Sequence, residues 1–166
     1  MVVVLQKGPR QTRSKKKINT VKEIGWCELV DIPSLGLKQV HAKMDSGAAT
    51  SSIHATRIKS FEKDGQKWVE FSFHASAKDQ IERIQAKVAD QRKVRSSNGK
   101  EQLRFVIEAQ LCLGKLCWDG HLTLANRGSM AFPVLIGRRA LRRGFLVNSG
   151  KRWMLGKPPS ATNKKG

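Results

Sequence analysis

The sequence has few aromatic residues, few cysteines and a shortage of acidic residues. Among 166 residues there is no Tyr, 6% are aromatic, and Cys occurs three times. Three cysteines do not suggest a disulfide framework in a chain of this size, so we expect reduced thiols. Acidic residues number 13 against 32 Lys and Arg, for a formal charge of +19. This balance favours polyanionic partners or acidic substrates, although charges in solvated arms would also produce it.

Long apolar runs are also missing. Stretches such as Val2 to Leu5 fall far below the roughly 20 residues that a membrane-spanning helix needs. At the N-terminus this short apolar piece precedes the basic residues, which is the reverse of the order in a secretory signal. We therefore expect a cytoplasmic protein that has no membrane contact.

The two ends of the chain differ from its middle. Residues 7–17 carry six positive charges and no apolar side chain, so they cannot bury enough surface to offset their ordering entropy. The sequence predicts a flexible basic arm over residues 1–20 and a disordered tail over residues 157–166. One folded domain is expected between them, over residues 21–156.

Short strands separated by turn residues dominate that domain and predict an all-β fold. Val40, Ala42 and Met44 alternate with polar residues, which is typical of a half-buried strand and predicts one at residues 38–44. Further strands are expected at residues 24–30, 69–73, 133–136, 145–147 and 152–155, and a hairpin at 102–113 and 116–124.

Two segments lack this alternation. Ile81, Ile84 and Val88 keep helical spacing over a short span, so residues 78–95 are expected to form a short helix or an ordered loop. Residues 138–143 are mostly Arg, and the sequence favours one or two helical turns there.

The most informative segment is Asp45-Ser46-Gly47-Ala48, which directly follows the alternating strand. A carboxylate at the end of a strand that is followed by Gly can accept hydrogen bonds from backbone N–H groups in a tight loop. This arrangement suits a catalytic acid. Asp, Ser and Gly also form ordinary turns, and these residues taken alone favour a plain turn over a catalytic loop.

A second segment, residues 132–138, is an apolar strand that ends in Gly137 and is followed by Arg138. Together the two segments resemble the retropepsin-like aspartic peptidases, in which an Asp-Thr/Ser-Gly-Ala loop lies beside an apolar-apolar-Gly strand. The resemblance implies an all-β closed barrel with one or two short helices.

The likeness is closer still to a bacterial subfamily labelled "ATP-dependent zinc protease", which is associated with glutamate ligases that modify a ribosomal protein. The stretches that carry this resemblance are residues 43–48, 92–99, 122–127 and 132–147. It implies an aspartic endopeptidase that acts on acidic or ribosome-linked protein substrates.

By this resemblance, two aspartates that share one proton would activate water. The chain contains one such motif, so the second carboxylate would be Asp45 of a symmetry-related subunit in a homodimer. Ser46 would brace the two loops against each other, and Gly47 would supply a close backbone N–H approach. Ala48 would support the loop, and Gly137 would leave room for it.

Four further residues are candidates for substrate binding. In retroviral members, an acid at the position of Ala49 pairs with the Arg that follows the apolar-apolar-Gly strand. Because Ala49 cannot form this pair, Arg138 would need another acid or would face an acidic substrate. His54 would line the cleft, unless it is an ordinary satisfied histidine. Ser97 and Asn98 would belong to a mobile flap.

No cofactor or metal is expected. The four histidines are scattered, and no His-Glu-x-x-His set is present. A Gly-x-x-x-x-Gly-Lys-Ser/Thr loop for ATP and a Gly-x-Ser-x-Gly nucleophile motif are also missing from the sequence.

The alternative from another functional class is a non-catalytic basic module of the same fold. Residues 7–17, 92–95 and 138–143 could jointly contact RNA, the ribosome or acidic protein tails. RNA binding that survives Asp45→Asn would favour this alternative, whereas cleavage that does not survive the substitution would favour the peptidase.

Overall fold

The computed structural model of the protein describes residues 20–75, 80–95, 98–126 and 131–159. Most of the expected basic arm and tail lies outside these residues. The described part contains a 3-10 turn at Pro33–Leu35 and one α-helix, α1 (Arg138–Leu141). Its strands are β1 (Lys22–Gly25), β2 (Cys27–Ile32), β3 (Leu37–Asp45), β4 (Ser51–His54), β5 (Thr56–Lys63), β6 (Gln66–Phe73), β7 (Glu82–Arg95), β8 (Glu101–Leu113), β9 (Leu116–Ala125), β10 (Val134–Gly137) and β11 (Phe145–Asn148).

Six strands close into a barrel in the order β2, β3, β10, β4, β9 and β8. The barrel closes because Asp31 of β2 pairs with Cys112 of β8. Strands β7, β6 and β5 continue the sheet outward from β8, while β1 and β11 form a separate parallel pair. The prediction of an all-β closed barrel with one or two short helices is confirmed.

The barrel core follows from the sequence alternation. In β3 the side chains of Val40, Ala42 and Met44 are buried, and the residues between them are exposed. Strand β10 lies between β3 and β4, and all four of its residues are buried. A strand with neighbours on both sides and no solvated face is expected to be continuously apolar, as Val-Leu-Ile-Gly is.

The segment that follows β11 packs on the barrel without forming the predicted strand at residues 152–155. Glu28 is fully buried, and its carboxylate accepts backbone N–H groups of Gly25 (2.7 Å), Met154 (2.9 Å) and Leu155 (3.2 Å). Because the N–H groups of Met154 and Leu155 bond to a side chain, they do not join a strand ladder. For this reason, the prediction of a final strand at residues 152–155 was wrong.

The prediction of a helix or loop at residues 78–95 was also wrong. The chain forms the long strand β7 there, in which Ile84 and Ala86 are buried and Val88 is half-buried. The inward positions are thus two residues apart, and Ala86 completes the alternation. Ile81, which suggested helical spacing, is 51% exposed and lies before the strand.

The expectation of reduced thiols was wrong for two of the three cysteines. Strands β8 and β9 form the predicted hairpin around Gly114-Lys115, and its register places Cys112 directly opposite Cys117. Their Cα atoms lie 4.1 Å apart, and the two residues form a disulfide. Cys27 is a free and buried thiol.

Within the described ranges, the structure contains no helix that is long and apolar enough to cross a membrane.

Candidate functional site

The candidate acid lies where two parallel strands end side by side. Strand β3 runs parallel to β10, and their register pairs Met44 with Ile136 and Asp45 with Gly137. One oxygen of the Asp45 carboxylate, Oδ1, accepts the N–H groups of Gly47 (3.1 Å) and Ala48 (3.2 Å). The strand end and the turn together fix the position of this carboxylate oxygen.

The loop after Asp45 passes very close to Gly137. A Cβ atom built on Gly137 would lie 2.5 Å from the backbone carbon and oxygen of Thr50, so no larger residue fits without a backbone shift. The N–H of Gly137 donates to the hydroxyl oxygen of Ser51 at 3.0 Å in a buried position. The close approach of the loop therefore leaves no room for a side chain at position 137.

The start of α1 holds the same loop through its backbone. The N–H of Arg138 donates to the carbonyl oxygen of Ala48 (2.7 Å), and the N–H of Arg139 donates to that of Ala49 (3.2 Å). Because the loop carbonyls bond to the segment that follows β10, the two sequence motifs form one structural unit.

Arg138 also reaches the loop with its side chain. Its Nη1 donates to the carbonyl oxygen of Ser46 at 2.9 Å and lies 3.4 Å from that of Gly47. The sequence suggested either another acid or an acidic substrate as the partner of Arg138. The structure supplies backbone carbonyls as partners of Nη1. Because the side chain is exposed, binding of an acidic substrate by Arg138 stays a prediction.

The loop is supported from one side and open on the other. Asp45 is half-buried, whereas Ser46 and Gly47 are exposed. Two cavities of about 710 and 860 Å³ among the described residues do not include Asp45, Ser46 or Gly47 in their linings. The single chain therefore presents a half-buried carboxylate beside an exposed loop tip.

The other candidate residues are not brought to Asp45 by the strand register. His54 ends β4, where its N–H donates to the carbonyl oxygen of Pro133, at the opposite end of β10 from Gly137. Its ring is buried and packs edge-on against His74, with ring centroids 5.1 Å apart. His54 thus lies within the fold.

The flap candidates fall at the turn between β7 and β8. Asn98 accepts the N–H of Lys100 through its side-chain oxygen at 3.4 Å, and Gly99 has a positive φ of 80° that suits a tight turn. Ser97 lies outside the described residues. The flap role of this turn stays a prediction.

Two residues that matter for the fold of the site carried little signal in the sequence. Ser51 accepts the Gly137 N–H, and Glu28 holds the segment after β11 to the barrel. Both functions depend on backbone groups that are distant in sequence. Among the residues with described structure, no group of three or more His, Cys, Asp or Glu is arranged to hold a metal ion.

The closed barrel, the Asp-Ser-Gly loop and the neighbouring Gly-Arg strand together define the retropepsin-like aspartic peptidase fold. The chain belongs to the RimB-like family: the family model described as "Retropepsin-like aspartic endopeptidase RimB" matches residues 23–158. The family resemblance drawn from the sequence motifs is confirmed.

Longer bacterial proteins contain a similar segment. The chain is 41% identical over 133 residues to a protein of Shewanella pealeana and 41% identical over 137 residues to one of Desulfotalea psychrophila. Both are named "Probable alpha-L-glutamate ligase". The matches cover 79% and 81% of this chain but 28% and 30% of those proteins, so the chain spans less than a third of their length.

A solved structure supports the fold. The crystal structure of a Legionella pneumophila protein of unknown function aligns with a TM-score of 0.68 at 23% sequence identity. The alignment covers 80% of this chain and 97% of that protein.

Proposed function

We propose that this protein is an aspartic endopeptidase in which the Asp45 carboxylates of two subunits activate water for peptide-bond hydrolysis. The observation that carries the proposal is the position of Asp45. It sits at the end of β3, is held by the N–H groups of Gly47 and Ala48, and lies on the open side of a braced loop.

The requirement for a second carboxylate supports a homodimer. Asp-Ser-Gly occurs once in the sequence, so one chain supplies one catalytic loop. The exposed Ser46 and Gly47 would meet the same residues of a second subunit across a two-fold axis. In this arrangement the hydroxyl of Ser46 would brace one loop against the other.

The chemistry is general acid–base catalysis by two carboxyl groups that share one proton. The ionised Asp45 removes a proton from water, and the oxygen of that water attacks the peptide carbonyl carbon. The protonated Asp45 of the partner donates its proton to the carbonyl oxygen. Transfer of a proton to the amide nitrogen then breaks the C–N bond and releases a carboxyl and an amine product.

The substrate is expected to be acidic. The formal charge of +19 attracts acidic polypeptides over long distances and raises their local concentration. The names of the longer relatives point to glutamate ligation, and a peptidase linked to such a ligase would act on glutamate-rich or ribosome-associated proteins. Neither ATP nor a metal ion enters the proposed reaction.

Cleavage of a peptide library that includes glutamate-rich sequences tests the proposal. Wild type would be compared with Asp45→Asn and with the control Asp64→Asn, which changes an exposed acid in the β5–β6 turn. We expect cleavage by wild type and by Asp64→Asn and none by Asp45→Asn. The rate should rise more than linearly with protein concentration while dimers form.

Cleavage that persists at the wild-type rate in Asp45→Asn would contradict the catalytic assignment. A rate that is strictly linear in protein concentration, together with a monomeric mass in sedimentation, would contradict the dimeric site. If wild type cleaves no member of the library from acidic to neutral pH, the non-catalytic basic module replaces the peptidase.

A further inference from the structure

One cavity of the described residues combines basic and acidic side chains. Its volume is about 710 Å³, and residues of β7, β8, β9 and α1 line it. Thr50 and Ser51 form part of its wall, but Asp45, Ser46 and Gly47 do not line it. Cavities of about 300–1,000 Å³ typically hold ligands of nucleotide size.

Two basic runs that are distant in sequence converge on this cavity. Lys87 and Arg92 reach it from β7, while Arg139 and Arg143 reach it from α1 and the turn that follows. Among the described residues, Lys87, Arg139 and Arg143 form no ion pair. These three cations therefore retain their capacity to bind an anion.

Two of these basic side chains, Arg92 and Arg143, contact neighbouring protein groups. Arg92 donates to the carboxylate of Asp90 at 3.1 Å in an exposed position, where solvent weakens the pair. The guanidinium of Arg143 lies 5.9 Å from the ring centre of Trp118, which orients it at the cavity. Guanidinium groups bind phosphate oxygens in a planar, two-pronged geometry.

The cavity also contains carboxylates, and they indicate which kind of anion it would accept. In the register of β8 and β9, Glu108 lies opposite His121, and Gln110 lies opposite Asp119. Each of the second pair is two residues from its strand neighbour in the first pair, so Glu108 and Asp119 share one face of the sheet and line the cavity. These carboxylates repel the side chains of a glutamate-rich peptide and the phosphates of RNA alike, so a bound anion must also bring hydrogen-bond donors to them. A ribonucleotide offers 2′-hydroxyl and base amino donors that a carboxylate can accept, whereas the ionised side chains of a glutamate-rich peptide offer none.

We propose that this cavity is a binding site for single-stranded RNA. Arg139, Arg143 and Lys87 would contact the phosphates, and Glu108 and Asp119 would accept hydrogen bonds from ribose or base. A single strand fits better than a duplex because a cavity of this size encloses one or two nucleotides. The site adjoins the proposed catalytic loop at Thr50 but does not include Asp45, Ser46 or Gly47.

Fluorescence anisotropy with a labelled single-stranded RNA of about 12 nucleotides tests the proposal on the full chain. The test variant is Arg139→Gln/Arg143→Gln. The control is Lys38→Gln/Lys59→Gln, which removes the same charge from exposed positions on β3 and β5. Far-UV circular dichroism and thermal unfolding would verify that both variants fold.

We expect the arginine variant to weaken RNA binding at least tenfold and the control to weaken it less than threefold. The slope of log Kd against log salt concentration should fall by about 1.4 in the arginine variant, since each lost contact to single-stranded phosphate removes about 0.7. Equal losses in the two variants would overturn the proposal, because binding would then depend on overall charge.

A second variant, Glu108→Gln/Asp119→Asn, tests the choice of ligand. Wild type should bind RNA at least threefold more tightly than DNA of the same sequence, and the variant should bring this ratio close to one. A polyglutamate peptide that binds as tightly as RNA and depends equally on Arg139 and Arg143 would overturn the assignment in favour of an acidic protein.

The RNA site and the proposed peptidase activity can fail independently. Asp45→Asn should keep wild-type RNA affinity because Asp45 does not line the cavity. A loss of RNA binding in Asp45→Asn would contradict a separate site, whereas loss of cleavage alone leaves the RNA site intact.

Discussion

The Nη1 of Arg138 donates a hydrogen bond to the carbonyl oxygen of Ser46 at 2.9 Å. Arg138 follows β10, whereas Ser46 follows β3, so this bond links the two motifs through a side chain. It complements the bonds that the N–H groups of Arg138 and Arg139 donate to Ala48 and Ala49. The loop that presents Asp45 is thereby held along most of its length.

Arg138→Gln should therefore reduce catalysis more than stability. The side chain is exposed, so we expect the free energy of unfolding to fall by less than about 1 kcal/mol. The misplaced loop should lower kcat/KM on a cleaved peptide at least tenfold. Arg142→Gln is the matched control, because this neighbouring exposed side chain forms no hydrogen bond or ion pair with the loop among the described residues. Equal activity in both variants would show that the Arg138–Ser46 bond has no catalytic role.

Gly137→Ala should destabilise the protein and disrupt the loop. The new methyl group would lie 2.5 Å from backbone atoms of Thr50, which cannot move as a flexible side chain would. We expect the free energy of unfolding to fall by about 2 kcal/mol or more. Gly150→Ala is the control, because its nearest neighbour would be a side-chain oxygen at 3.4 Å. Chemical denaturation of the two variants measures the difference.

Glu28→Gln should loosen the segment that follows β11. Glu28 is fully buried, and its two oxygens accept three backbone N–H groups. A Gln amide turns one of these oxygens into a donor, so at least one bond is lost. We expect a loss of about 1–3 kcal/mol in the free energy of unfolding. Hydrogen exchange at Met154 and Leu155 should accelerate.

The control for that substitution is Glu62→Gln on the exposed edge strand β5. It should change neither the unfolding free energy nor exchange at Met154. If Glu28→Gln behaves like this control, the carboxylate does not anchor the segment.

Thiol counting tests the Cys112–Cys117 disulfide. Protein that is purified without reductant and unfolded in denaturant should expose one reactive thiol per chain, that of Cys27. After reduction the count should be three, and the mass should rise by about 2 Da because two hydrogens are added. Three thiols before reduction would show that the two strands pair without the covalent bond.

Cys27 should make stability depend on alkaline pH. Burial raises the pKa of its thiol above the ordinary 9.0, nearby Arg152 opposes this rise, and Glu28 adds to it. Because the folded state disfavours the thiolate, the contribution of Cys27 is fully present below pH 9. It is lost as the pH rises through the higher pKa of the folded state, by at most about 1.4 kcal/mol per pH unit.

Comparison with Cys27→Ala isolates this effect, because alanine does not titrate. The stability of wild type relative to the variant should be constant from pH 7 to 8 and decline above pH 9. A constant difference up to pH 10.5 would contradict a raised pKa.

Much of the fold could be predicted because alternation is a local signal. Strand β3 and the hairpin around Gly114-Lys115 were confirmed almost to the residue, since polar and apolar positions alternate without interruption there. Strand β7 was missed because Ala86, a small residue, occupies an inward position that hydrophobic spacing alone does not identify. Strands β4 and β5 were not predicted at all. In β5 most of the side chains are exposed, so its sequence has no apolar face to reveal it.

The sequence by itself determined the family, the closed all-β class and the pairing of the Asp45 loop with the Gly137-Arg138 strand, because those features depend on short contiguous motifs. The tertiary structure decided which partners these groups find. Arg138 bonds to the Ser46 carbonyl, Ser51 receives the Gly137 N–H, and Cys112 faces Cys117. Such contacts depend on strand register. Many weak packing preferences over the whole barrel set the register, so neither residue of a contact reveals it alone.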